Sequence, residues 1–196
     1  MDEKRAVDGF GAACLIGFAT LLAFNQVVIK VTGAGFNPVF QAGLRSLLGL
    51  AVLLAWMRLR RIPLAIPRRA VFWGLVSGLL FTYEFILLFV ALDLTTVARV
   101  SILFYTMPVW VSIAAHFLLP GEQMTKVKAV GLVLAVAGIV VALSNRSAGE
   151  ASLAGDLCAL FATFGWAAIN ILVRITPLSE TRAESQLLYQ LVVSAT

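Results

Sequence analysis

The sequence predicts an all-α polytopic membrane protein, and three observations carry that expectation. Of its 196 residues, 61% are hydrophobic and only 13% are charged, whereas a soluble domain is about 25% charged and about 45–50% apolar. The mean hydropathy of +0.97 points the same way. The apolar residues gather into stretches of about 20, the length at which a helix crosses a bilayer; membrane strands would read as alternating segments of about 10. A soluble globular domain, a disordered chain, a collagen-like repeat and a disulfide-stapled scaffold are all excluded.

Six complete apolar segments follow one another, at roughly 10–30, 36–57, 70–92, 98–119, 127–144 and 153–174. A seventh begins near Glu184 and reaches only Thr196, too short to cross. The first is not a signal peptide: its apolar run from Phe10 to Ile29 is too long for a signal core and lacks a clear small-residue cleavage site. Gly74 and Gly78 on the third segment, and Gly131 and Gly138 on the fifth, read as places of close helix contact. Cys14 and Cys158 lie inside apolar stretches and read as buried thiols without disulfide or metal spacing.

The net charge of +5 would suggest a nucleic-acid partner in a soluble protein. Here the basic residues sit in short connections and report topology instead. With a cytoplasmic N-terminus, eleven fall inside: Lys4, Arg5, Arg58, Arg60, Arg61, Arg68, Arg69, Lys126, Lys128, Arg174 and Arg182. Three fall outside, Lys30, Arg99 and Arg146, while Arg45 lies within a span. That imbalance places the N-terminus in the cytoplasm.

A shift of 144 residues lays the first segment on the sixth: Gly11 on Gly155, Cys14 on Cys158, Gln26 on Asn170 and Lys30 on Arg174. Five spans, an odd number, separate the copies, so they run in opposite directions. That is the pattern of an inverted repeat, common in secondary transporters; chance similarity of two apolar helices is the competing explanation.

Ionisable and polar side chains at membrane depth are costly and mark candidate function. Gln41 and Arg45 lie one turn apart on the second segment, and Tyr83 and Glu84 lie on the third. Arg45 and Glu84 sit at matched depth, roughly 10–12 Å from the outer surface. They suit either a structural ion pair between two helices or a solute or proton site. On the fourth segment Ser101, Tyr105, Pro108, Ser112 and His116 share one face. Pro108 removes the helical partner of the Phe104 carbonyl, as expected beside a cavity, although small polar residues also serve helix packing. His116 reads as a satisfied interfacial histidine. Asn25 and Gln26 lie late in the first segment; Thr163, Trp166, Asn170 and Arg174 share a face of the sixth. Trp166 and Asn170 could stack on and hydrogen-bond a planar solute, or the indole could face lipid. No metal motif, phosphate-binding loop or nucleophile–base pair is present, and the connections are too short for a catalytic domain, so neither an enzyme nor a cofactor is expected.

The ordered set of motifs resembles the EamA-type module of the drug/metabolite transporter superfamily. The residues are Tyr105-Thr-Met-Pro108, Gly121-Glu122 at the next turn, Gly131-Leu-Val-Leu-Ala-Val-Ala-Gly138, the late Lys30, Arg45, and Ala91-Leu-Asp-Leu-Thr-Thr-Val-Ala98. The resemblance covers residues 10–144 as one module and 153–196 as the start of a second. It implies inverted five-helix repeats forming a ten-helix carrier, here truncated in the seventh helix, with domains at 1–145 and 153–196. A chain ending there is either a fragment or assembles otherwise. The resemblance also implies a central cavity, alternating access, and metabolite solutes such as amino acids or aromatic, vitamin-like compounds, often moved outward across a bacterial inner membrane.

The expected solute contacts are Tyr83, Tyr105 and Trp166, with Asn25, Asn170 and Arg45 as polar partners and Glu84 as a site for proton coupling. The expected partners are a small-molecule solute and the lipid bilayer. A non-transporting membrane scaffold or assembly subunit is the alternative, motivated by the short seventh segment and the paired glycines.

Overall fold

A computed structural model of the chain describes residues 9–33, 35–64, 67–144 and 152–195. It is 86% helical without strands among them. The helices are α1 (Gly9–Gly33), α2 (Pro38–Leu59), α3 (Arg68–Leu94), α4 (Val97–Phe104), α5 (Met107–Leu118), α6 (Lys126–Ser144), α7 (Leu153–Ile175) and α8 (Ala183–Ser194). Among the described residues, five spans are long and apolar enough to cross a bilayer: α1, α2, α3, the α4–α5 pair and α7. The predicted fifth segment is α6, of 19 residues. Lys4, Arg5 and Arg146, used above for orientation, lie outside the described residues, as do the outer limits of the two predicted domains.

Local chemistry sets the boundaries. Asn37 caps α2, its side chain accepting from the Val39 N–H at 2.9 Å, with Pro38 at the first helical position. Thr95 and Thr96 separate α3 from α4, and the Thr96 hydroxyl accepts from the Arg99 N–H. Ser152 caps α7 in the same way. Gly121 turns the chain between α5 and α6 at φ +87°, a conformation in which a Cβ would be strained.

The fourth span is not one continuous helix. It breaks at Tyr105–Thr106, where Thr106 N–H bonds the Leu103 carbonyl three residues back and Pro108 opens α5. Pro108 has no N–H to continue the ladder and its ring crowds the Phe104 carbonyl. The predicted single stripe is therefore divided. Ser101 reaches Gln26 and Tyr105 turns to a cavity, whereas Ser112 bonds back to the Pro108 carbonyl and His116 Nδ1 accepts from the Met124 N–H at 3.0 Å.

The core is the α3–α7 contact, with α8 and α2 closing around α3. Ala91, Ala159, Ala162 and Thr163 are fully buried there. Gly155 and Gly165 let the backbones approach: a Cβ at Gly155 would meet Thr95 Cβ at 2.9 Å, and one at Gly165 would meet Glu84 Cβ at 3.2 Å. Gly74 and Gly78 seat α8, their Cβ positions lying 2.8 Å from Tyr189 and 2.7 Å from Val193. Gly131 and Gly138, by contrast, have nothing within 4 Å. They lie on α6, which rests against α4 and is exposed along most of its length. Cys14 is likewise exposed rather than buried, because α1 is a rim helix with only Gln26 and Ile29 buried; Cys158 is partly buried.

Gly78→Ala forces a methyl onto Val193 and the Tyr189 carbonyl, and overpacking of this kind costs about 1–3 kcal/mol. Thermal unfolding in detergent is expected at a lower midpoint for Gly78→Ala, and at an unchanged or higher one for Gly138→Ala.

Candidate functional site: a cavity between α1, α2, α3, α4, α7 and α8

Helix direction defines two ends of the bundle. The basic end carries Arg58, Arg60, Arg61, Arg68 and Arg69 in the α2–α3 connection; the far end holds the α1–α2 and α3–α4 connections. A cavity of about 390 Å³ lies between them. Its apolar wall includes Phe18 and Leu22 of α1, Phe85 of α3 and Phe104 of α4. Its polar wall is richer in amides than in charge: Asn25, Gln26, Asn170, Gln186 and Gln190, with Arg45, Glu84, Tyr105 and Arg174.

Each wall residue is placed by its neighbours. Gln26 is buried, and its Oε1 accepts from the Ser101 hydroxyl at 2.5 Å, tying α1 to α4. Phe104, presented by the break in the fourth span, stacks on Trp166 with ring centroids 5.0 Å apart and planes 27° apart. At the break the Leu103 carbonyl accepts from the Thr106 hydroxyl at 2.7 Å and N–H at 3.1 Å. Thr163 of α7 packs against it, its hydroxyl 3.2 Å away and bonded to the Ala159 carbonyl at 2.8 Å. Asn170 Nδ2 donates to the Trp166 carbonyl at 3.0 Å, leaving its oxygen for other donors. Gln190 Nε2 donates to Ser77 Oγ at 2.9 Å, fixing α8 against α3.

Arg45 and Glu84 both line the cavity and lie within electrostatic reach of each other, yet they do not form an ion pair. Arg45 instead places its Cζ 3.9 Å from the Phe85 ring centroid. Stacking on an aromatic face stabilises a guanidinium while keeping N–H donors available. Glu84 is buried, with its Cα and Cβ packed against Gly165 of α7.

The two ends are closed differently. At the far end, Arg99 Nε lies 3.0 Å from Asp156 Oδ1 and Nη2 lies 2.5 Å from Oδ2, a two-point bridge only 13% and 14% exposed. Lys30 Nζ donates nearby to the Asp93 and Thr95 carbonyls at 3.2 and 3.1 Å. At the basic end, Arg174 Nη1 meets Glu122 Oε1 at 2.9 Å, and this pair is 46% and 47% exposed.

Of the residues singled out in the sequence, Asn25, Arg45, Glu84, Tyr105, Trp166 and Asn170 line this cavity. Tyr83 does not; it is 44% exposed and packs beside Gly165. Consecutive residues on a helix point about 100° apart; with Glu84 and Phe85 turned to the cavity, Tyr83 falls on the side of α3 that packs against Gly165. Sequence reasoning missed Gln186 and Gln190 as wall residues. An amide within an apolar segment is the signal that marked Gln26 and Asn170, and Gln186 and Gln190 carry it too, but their segment reads as too short to cross. A second hollow of about 450 Å³, lined by Trp110, Phe164 and aliphatic side chains, is apolar and holds none of these residues.

Comparison with known proteins gives a family and a relative. Residues 9–144 match the EamA-like transporter family. The chain is 25% identical over 164 residues to the "Uncharacterized transporter YoaV" of Bacillus subtilis (strain 168), covering 82% of this chain and 56% of the relative. The chain thus spans little more than half of that relative's length. No solved structure matches the chain.

The far-end bridge fastens α4 to the first turn of α7, and the partly buried Cys158 lies two residues beyond Asp156. Asp156→Ala, in a Cys14→Ser background, is expected to raise the rate of Cys158 labelling by a membrane-impermeant maleimide severalfold. An unchanged rate would mean that the bridge does not close this end.

Proposed function

We infer the function of this chain from one premise: it belongs to the EamA-like transporter family. With five helices long and apolar enough to span a bilayer, it is an integral membrane protein of drug/metabolite-transporter type. Our reading is that it forms the first part of a secondary carrier. The carrier moves a small metabolite, an amino acid or an aromatic or vitamin-like solute, by alternating access and in the outward direction. The outward direction, the bacterial inner membrane and the cytoplasmic N-terminus rest on the family resemblance and the distribution of basic residues.

The observation that carries the solute site is the cavity itself. Amides, two guanidinium groups and one carboxylate line it together with the stacked Phe104–Trp166 pair. Small-molecule sites combine apolar walls with a few placed polar groups in this way. Phe104 and Trp166 take the flat or apolar part of the solute, Tyr105 borders it, and Asn25, Asn170 and Arg45 hold its polar groups. Glu84 is proposed as the proton-coupling carboxyl, because an acidic group within the span is otherwise costly to retain.

Residues 1–145 form one five-helix module and 153–196 open a second, inverted one. Two placements support that division. Gln26 and Asn170, matched by the 144-residue shift, line the same cavity, and the matched cations Lys30 and Arg174 are engaged at opposite ends. Rocking of one module against the other would then expose the cavity alternately.

The test is flux of labelled aromatic amino acids into proteoliposomes holding the protein. Glu84→Gln combined with Tyr105→Ala is expected to lower flux at least tenfold at an unchanged melting temperature. Glu84→Gln alone should abolish the response to an imposed pH gradient. Wild-type flux in the double variant would refute the site assignment.

A further inference from the structure

The cavity wall holds two guanidinium groups, Arg45 and Arg174, against one carboxylate, Glu84. Arg174 stands at the basic end, on the last turn of α7. There it meets Glu122, which belongs to the turn between α5 and α6 and is not part of the wall. The contact uses one of the five N–H donors of the guanidinium.

This pair is built unlike the bridge at the other end of the same helix. Arg99–Asp156 is two-pointed and shielded, whereas Arg174–Glu122 has a single bond and is nearly half-exposed. A single exposed pair is weakly held and screened by salt. Asn170 and Trp166 follow Arg174 at four-residue steps on one face of α7 and line the same cavity. Guanidinium, amide and indole thus form a graded wall running about 12 Å inward from the basic end.

We propose that Arg174 selects the solute by charge, its guanidinium exchanging the Glu122 carboxylate for a carboxylate on the solute at the cavity mouth. The substrate class is then an organic acid with an apolar or aromatic body. The proposal deepens the carrier reading and rests on it. One carboxylate leaves Arg174 as another arrives, so the charge around the guanidinium is unchanged. The released Glu122 regains water at an exposed turn, so the exchange leaves no buried charge without a partner. Arg45, deeper in the wall and stacked on Phe85, supplies the next cation along the path.

Calorimetric binding to the purified protein tests this with matched acid–amide pairs: benzoate with benzamide, and N-acetyl-L-phenylalanine with its amide. Wild type should prefer each acid. Glu122→Gln should tighten the acids about two- to fivefold, the size of an exposed ion pair, and leave the amides unchanged. Arg174→Gln should weaken the acids roughly tenfold or more and erase the preference, as loss of a charge-assisted bond would. Arg174→Lys, which keeps the charge, should retain part of it, and decides together with Glu122→Gln if Arg174→Gln does not fold. Equal binding of acids and amides, no binding of either, or a preference that survives Arg174→Gln would overturn the proposal. Failure of the carrier reading looks different: the acid preference and its dependence on Arg174 would stand, but acid-loaded proteoliposomes would show no exchange of labelled acid.

Discussion

The close approach of α3 and α7 is the constraint on which the rest of the molecule depends. Between lipid-facing helices the hydrophobic effect adds little, because lipid tails are as apolar as leucine; association rests on packing and on polar contacts. Gly155, Ala159, Ala162 and Gly165 give α7 a face without bulk, and α3 lies along it. Glu84 is thereby held against the backbone of α7 at Gly165 and beside the cavity. A larger residue at either glycine would move the carboxyl and the Trp166–Asn170 wall together.

The second structural device follows from the first. With α7 so close, Thr163 can reach the Leu103 carbonyl across the break in the fourth span. A broken helix leaves backbone groups that lipid cannot satisfy, so such breaks occur where protein or a polar cavity supplies partners. Here the break turns Phe104 onto Trp166 and sets Tyr105 on the rim. Thr106 at the break satisfies the Leu103 carbonyl with its own N–H and hydroxyl, and Thr163 of α7 packs against the same carbonyl.

Helical periodicity and depth made much of this legible in the chain itself. The face Thr163–Trp166–Asn170–Arg174 needed only the 3.6-residue repeat, and the structure keeps it on one side of α7. Arg45 and Glu84 were visible because charge within an apolar span is rare. What periodicity could not provide is which neighbour a face meets. Gly131–Gly138 and Gly74–Gly78 are alike as strings, yet one pair lies on the open face of α6 and the other is filled by Tyr189 and Val193. The fourth-span stripe failed for a related reason. A helical wheel assumes an unbroken helix, and Pro108 ends that assumption at Tyr105, so Ser112 and His116 turn to local partners. Tyr83 neighbours Glu84 in sequence, but a step of about 100° can turn a neighbour either into the cavity, as for Phe85, or away from it, as for Tyr83.

The two ion pairs of α7 show how one helix can be fastened unequally. Asp156 in its first turn and Arg174 in its last both oppose the helix dipole favourably, so neither needs a partner for the helix to form. What the partners add is attachment, to α4 at one end and to the α5–α6 turn at the other. Solvent decides the strength of each. The shielded, two-point Arg99–Asp156 bridge is little screened, while the exposed Arg174–Glu122 pair competes with water and salt at every moment. At the basic end the chain beyond α7 is also anchored by the turn Pro177–Glu180, whose Leu178 is buried. The weaker of the two ion pairs is thus the one whose guanidinium also lines the cavity.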